Sequence, residues 1–211
     1  KIGDLKKFIS EKRQTGVYLS LFGFGTGNLN ADTMDTLAQA GNGNYYYIDS
    51  ILEAQKIFVS ELGGTLETVA KDTKVQIEFN TNKVLKYRVL GYENKILSNE
   101  QFENSETDAG EIGAGHVTIC LIEIQLKEDF IESDEMIVKS ILRYKDVKDN
   151  ELNKEIINEL KTISNTNSDD FIFASALVEF ALCLRDSEYK GSASLENVLS
   201  KVNKDIYRND P

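Results

Sequence analysis

The sequence predicts a mixed fold, an α/β segment with a parallel sheet followed by an antiparallel β module that ends in helices. Three observations predict it. Helical and strand periodicities alternate through short loops from residue 3 to 62, the pattern of parallel strands joined by right-handed crossovers. After Gly63-Gly64 the periodicity becomes that of successive β-rich runs with no helix between them. From Asp169 onward it is helical again.

The elements follow in order. Leu5, Phe8 and Ile9 stand at helical spacing over residues 3–14, and Gly16 is a stop signal. Val17 to Phe22 reads as a strand that is apolar on both faces, as buried parallel strands are. Gly23-Phe-Gly-Thr-Gly-Asn28 reads as a loop, and Asn30 or Asp32 caps a helix over Ala31 to Ala40 that Gly41-Asn-Gly-Asn44 ends. Tyr45 to Ile48 is a short strand, read as buried with one hydroxyl at its edge rather than as a sugar or nucleobase platform. Asp49 or Ser50 caps a third helix, Ile51 to Leu62, with Leu52, Ile57, Phe58 and Leu62 on one apolar face.

Thr65 to Asp72 is predicted to join that helix to the β module as a helical extension. Strands are predicted at Val75 to Phe79, Val84 to Tyr92, Val117 to Leu126 and Met136 to Tyr144. Phe171 to Arg185 is apolar on most faces, as a helix packed on two sides would be. Ser192 or Ser194 opens a last helix from Leu195 to Ile206, with Leu195, Val198, Leu199 and Val202 as its buried stripe.

Composition narrows the function. The 211 residues suit one or two domains, two being favoured by the change of pattern, and 41% apolar with 28% charged residues describes a globular chain. A net charge of −11 with no basic stripe argues against nucleic acid as a partner. No apolar run approaches the ~20 residues of a membrane span, and no charged-apolar-small signal pattern opens at Lys1, which leaves open an export signal upstream of it. Cys120 and Cys183 each sit in an apolar run and read as buried thiols.

Longer stretches carry a resemblance. Leu21-Phe-Gly-Phe-Gly-Thr-Gly-Asn-Leu-Asn30 and Leu37-Ala-Gln-Ala-Gly-Asn-Gly-Asn-Tyr-Tyr-Tyr-Ile-Asp49, within Val17 to Asp49, resemble the C-terminal half of the von Willebrand factor type A domain in a group of bacterial surface proteins. Glu61-Leu-Gly-Gly-Thr-Leu66, Val75-Gln-Ile-Glu-Phe-Asn80, Tyr87-Arg-Val-Leu-Gly-Tyr-Glu-Asn94 and Asp108-Ala-Gly-Glu-Ile-Gly-Ala-Gly-His116 are similar to the domain of unknown function that follows it there. So are Phe173-Ala-Ser-Ala-Leu-Val-Glu-Phe180 and Leu184-Arg-Asp-Ser-Glu-Tyr-Lys-Gly191.

The resemblance implies a partial doubly wound parallel sheet over residues 1–66 and a β-rich domain with terminal helices over 67–211. It also implies Mg²⁺ or Ca²⁺ in an intact type A domain, but the motifs that hold that cation match nothing here, so no residue is given a metal-ligand role. A cell-surface or periplasmic setting follows from the same likeness.

Candidate sites are few. Gly110-x-x-Gly-x-Gly115 has a phosphate-loop spacing but leads toward a strand rather than a helix, so its glycines are read as backbone devices. His116 could pair with Glu111 or Asp108 as acid and base, yet no nucleophile motif accompanies it and a structural role at a strand start is preferred. Glu103, Glu106, Asp108 and Glu111 lack a calcium-loop ladder. Phe24, Gly25, Thr26, Gly27 and Asn28 follow a strand and precede a helix, and the resemblance places them at a ligand-facing edge, so they are the candidate binding rim. Tyr87, Arg88, Tyr92 and Glu93 are the candidate partner surface.

The function expected is therefore a non-catalytic, protein-binding or adhesion module with no catalytic residue. The alternatives are an assembly protein of the cell envelope, self-associating through an open sheet edge, and a hydrolase using His116. The third helix, carried through Gly63-Gly64, would couple the two parts.

Overall fold

The computed structural model describes residues 2–25, 27, 30–61, 67–92, 96–107, 109–148 and 153–202. Contacts divide the chain into two units, the first of Lys1–Val75, Phe102–Val117 and Leu142–Ile156, the second of Gln76–Gln101, Thr118–Ile141 and Ile157–Pro211.

In the first unit, helix α1 (Ile2–Arg13) buries only Ile9 and stops at Gly16, whose φ of +83° ends the helix without a Cβ penalty. Strand β1 (Leu21–Phe24) pairs in parallel with β2 (Tyr45–Ile48), from Leu21 opposite Tyr45 to Phe24 opposite Ile48. The strand therefore lies further along the chain than Val17 to Phe22. The reason is local: Leu19 N–H donates to the Gly41 carbonyl (3.1 Å) and Leu21 N–H to that of Asn44 (2.8 Å), so the preceding residues are bonded to the loop that ends α2. Helix α2 (Ala31–Ala40) is capped by Asn30, which accepts from Thr33 N–H at 2.9 Å. Leu37 and Ala40 form the core with Ile9, and Leu19 and Leu21 pack against it.

Ser50 caps α3 (Ile51–Gln55), which passes into a π-helical turn, Lys56–Glu61. That turn changes the angular spacing of side chains. The single apolar face expected of the third helix is consequently absent: Ile57 is 2% exposed, but Leu52 is 67% exposed. Position 62 lies outside the described residues.

The β region holds a four-stranded sheet, order β5-β3-β7-β8, and a two-stranded sheet, β4-β6. The strands are β3 (Thr68–Phe79), β4 (Val84–Leu90), β5 (Gly110–Gly113), β6 (Leu121–Leu126), β7 (Val138–Asp146) and β8 (Asn153–Leu160). Thr68 to Asp72 is thus strand, not a helical join. Strands β5 and β8, and the short helix α4 (Asn99–Glu103), are additions to the expected elements. Val117 to Cys120 lies outside the ladder and Cys120 is exposed, while Cys183, in the helical segment Asp169–Leu184, is half-buried. Both depart from the buried thiols expected.

In the second unit, β4 and β6 pair antiparallel, with a register slip between Val84 and Lys86. Gly91 and Tyr92, both at positive φ, turn the chain after Leu90. Lys83 is buried, donating to Ser133 Oγ (2.8 Å) and the Glu135 carbonyl (2.7 Å) with Phe130 beneath it. Lys83→Met should leave both acceptors unsatisfied and lower stability by about 2 kcal/mol in urea unfolding; a loss under about 0.5 kcal/mol would show that they are water-bonded instead.

Helix α5 (Asp169–Leu184) is capped by Ser168 and α6 (Leu195–Lys201) by Ser194. Neither is packed as expected. Only Ala174 and Ala176 of α5 are buried, and Leu184, Leu195 and Leu199 are exposed. Residues 203–206 of the predicted last helix lie outside the described residues.

Candidate functional site

The segment that carries the histidine is a strand and a turn. Gly110–Gly113 pairs antiparallel with β3, from Gly110 opposite Thr73 to Gly113 opposite Thr68. Ala114 N–H then donates to the Glu67 carbonyl (2.8 Å) and His116 N–H to that of Gly113 (3.1 Å), around Gly115 at φ +77°. His116 therefore ends a turn rather than beginning a strand. Glu111, between the glycines, is the residue on which the site is built.

Among the described residues its carboxylate accepts from three neutral donors. Asn42 Nδ2 lies 3.5 Å from Oε1, Asp72 N–H donates to Oε2 at 3.3 Å, and the Tyr18 side chain is the third. Asn42 stands at φ +48° in the loop between two glycines, and its Oδ1 accepts from Arg13 Nη1 at 3.2 Å. Asp72 also has φ +48°, at a register irregularity of β3 that turns its N–H toward Glu111. Its own carboxylate accepts from Ala109 N–H (3.3 Å) and pairs with Lys145 (2.6 Å).

Around these groups the first unit carries further charge. Lys74 is buried, donates to the Asn104 carbonyl at 2.6 Å, and has its pKa lowered mainly by that burial, against the opposing pull of Asp72. Arg143 pairs with Glu155 (2.7 Å) and Glu103 (3.2 Å) above the Phe102 ring, and hydrogen bonding to Glu155 leads in holding its pKa up. Beside Glu111 opens a cleft of about 520 Å³, walled by Tyr18, Ser20, Asn42, Asn44, Tyr45, Tyr46, Thr68, Glu111 and His116 among others.

Burial is the main cause that raises the Glu111 pKa above its ordinary 4.5, with the neighbouring Asp72 charge adding to it and the Tyr18, Asp72 and Asn42 hydrogen bonds opposing. The folded state then holds a proton that the unfolded chain has released, so the stability this proton contributes is complete below 4.5 and is lost as pH rises through the window above it. Glu111→Gln should flatten stability against pH in that window in thermal unfolding. An unchanged slope would assign it to other groups.

The other predicted residues fall elsewhere. Phe24 is 64% exposed at the end of β1 and stacks on Phe58 with ring centroids 6.5 Å apart. Tyr47 donates its hydroxyl to the Gly25 carbonyl at 3.0 Å, and Gly27 is exposed, while Thr26 and Asn28 lie outside the described residues. Tyr87 stacks on Phe79 at 4.1 Å, whereas Arg88 is engaged by Glu123 (2.5 Å) and the Tyr189 ring (4.7 Å). Tyr92 donates to the Ile119 carbonyl at 3.2 Å, and Glu93 lies outside the described residues. Successive strand residues face opposite ways, so Tyr87 and Arg88 do not form one platform.

Glu103 and Glu111 have different partners, and Asp108 lies outside the described residues. Among the described residues no group of three or more His, Cys, Asp or Glu could hold a metal ion. Nor is any described helix long and apolar enough to cross a membrane. Sequence reasoning missed Tyr18, Asn42 and Asp72. The available signals were an asparagine between glycines, where a left-handed turn is common, and an aspartate inside a β-rich run.

Fold and site define a mixed α/β protein with a short parallel pair, antiparallel sheets and a carboxylate-centred cleft. The chain belongs to the family described as "Uncharacterized protein YfbK, C-terminal", which matches residues 64–211. It is also 37% identical, over 218 aligned positions, to "Uncharacterized protein YfbK" of Escherichia coli (strain K12), across 92% of this chain and 36% of that protein. The chain thus spans about a third of the length of this curated relative.

Proposed function

We propose that the chain is a non-catalytic protein-recognition module, the end of a von Willebrand factor type A domain (residues 1–66) joined to an accessory β-rich domain (67–211). The observation that carries this reading is the apolar surface of the first unit. Phe24, Ile51, Leu52, Phe58 and Val59 are all at least 40% exposed, on β1 and the α3–π segment, with Phe24 and Phe58 stacked. Exposed aromatic and aliphatic side chains gathered on neighbouring elements mark interaction surfaces. The resemblance of Val17 to Asp49 to a type A domain supplies the class of partner, a protein.

The cation that the resemblance implies for an intact type A domain finds no fitting donor set among the described residues. Gly63-Gly64, the proposed coupling point, lies outside the described residues.

The test is retention of a defined protein from cell extract by the immobilised chain, with Phe24→Asp as the comparison. Loss of that protein by Phe24→Asp, with an unchanged circular dichroism spectrum, supports the reading. Equal retention removes the apolar surface from it, and a hydrolytic rate that disappears in His116→Ala would replace it with an enzyme.

A further inference from the structure

We infer that the cleft beside Glu111 binds an aliphatic ammonium or guanidinium group, carried by a small amine or by a lysine or arginine side chain of another protein. This does not rest on the recognition surface proposed above.

The walls have the right chemistry. Tyr18, one carboxylate and one of the two successive β2 tyrosines, Tyr45 and Tyr46, whose rings face opposite sides of the strand, line a single opening of about 520 Å³. Aromatic side chains and a carboxylate are the two groups that together hold an organic cation, the first through the ring quadrupole and the second through charge-assisted hydrogen bonds. Ser20 and Asn44 add side-chain oxygens able to accept the remaining N–H groups. Water occupies ~30 Å³ in the liquid, so the opening admits a guanidinium with its aliphatic stem.

The carboxylate is also held in a way that leaves room for such a guest. Its bonds from Asn42 and Asp72, at 3.5 and 3.3 Å, are longer than ordinary N–H···O bonds, and its three donors among the described residues are neutral. The nearby cations point to other acceptors: Arg13 donates to Asn42 Oδ1, and Lys145 pairs with Asp72. Burial that disfavours the ionised Glu111, with Asp72 the charge that adds to it, is relieved by an entering cation and aggravated by an anion. An anionic ligand is thereby disfavoured.

The test is an NMR titration of the full chain with ethylguanidinium, and with urea as its neutral planar counterpart. Ethylguanidinium should move the amide signals of Asn42, Glu111 and His116 and saturate with Kd on the order of 1 mM, while urea at the same concentration moves them little. Glu111→Gln should weaken binding about tenfold, the loss of one charge-assisted contact. Equal response to urea, or full affinity in Glu111→Gln, overturns the inference. Should Glu111→Gln lose its folded spectrum, Tyr18→Leu, which keeps the carboxylate, decides the matter: unchanged affinity overturns it and weakened affinity supports it. Spermidine and an arginine-containing peptide then separate the two sources by which binds more tightly.

Discussion

Gly43→Ala is expected to destabilise the first unit by about 3 kcal/mol, the upper end for forcing atoms into a packed site. A Cβ built on Gly43 would stand 1.7 Å from the Leu19 carbonyl oxygen and 2.2 Å from its carbon, so the obstruction is backbone rather than a side chain that could rotate away. Both segments are tied in place. Gly43 N–H donates to the Ala38 carbonyl (3.0 Å), Leu19 N–H to that of Gly41 (3.1 Å) and Leu21 N–H to that of Asn44 (2.8 Å). Relief therefore requires breaking the bonds that set the register of β1 on β2. Asn42, which reaches Glu111, would move with them.

Hydrogen exchange read by mass spectrometry checks this, with faster exchange expected in peptides spanning residues 31–48. Gly110→Ala is the comparison, because nothing lies within 4 Å of its Cβ and its φ is not left-handed; it should change stability by less than about 0.5 kcal/mol. Equal effects of the two substitutions would refute the close approach of Gly43 to Leu19.

What could be read from the sequence follows how local each determinant is. Helix caps are local, and Asn30, Ser50 and Ser194, each one of the two caps offered for its helix, cap the helix that follows them. Tyr45 to Ile48 is likewise strand, because its apolar run is bounded by turn residues on both sides, but it is not the buried strand expected: only Ile48 is buried and Tyr47 is exposed. Strand β5 is Gly-Glu-Ile-Gly, a sequence with low strand propensity, and it is a strand because β3 supplies its partner. The π-helical turn after Gln55 redistributes a face that a 3.6-residue period places on one side. Helix α5 buries less than its apolar run predicts for a related reason, since an apolar helix shows what it could bury but not what lies beside it.

The site divides in the same way. Glu111 and His116 stand out as the carboxylate and histidine of a glycine-rich segment. Tyr18, Asn42 and Asp72, which make the site, come from separate parts of the chain brought together only by folding. Asn42 and Asp72 act through left-handed backbone as much as through their side chains, and a β-branched residue at either position would disfavour that φ.

In the second unit the largest expected loss comes from Ile137→Ala, about 4 kcal/mol. Ile137 is one of the largest fully buried side chains, at 0% exposure, and it sits just ahead of β7. How much a cavity costs depends on whether the surroundings can collapse into it. Here the backbone is fixed on both sides: Ile137 N–H donates to the Leu160 carbonyl (2.7 Å), and its own carbonyl accepts from Asn80 N–H (3.0 Å). Asn80 Nδ2 further holds the Met136 carbonyl at 2.9 Å. The chain cannot move inward without surrendering these bonds, so the void persists and the cost lies toward the upper part of the range. Ile137→Val, which removes one methylene, should cost about 1 kcal/mol. Urea unfolding of both variants, with exchange of residues 76–90 as the local readout, provides the measurement. A loss below about 2 kcal/mol for Ile137→Ala would mean that the hydrogen bonds around Ile137 yield more easily than the side chains beside it, and that this part of the second unit relaxes to fill the space.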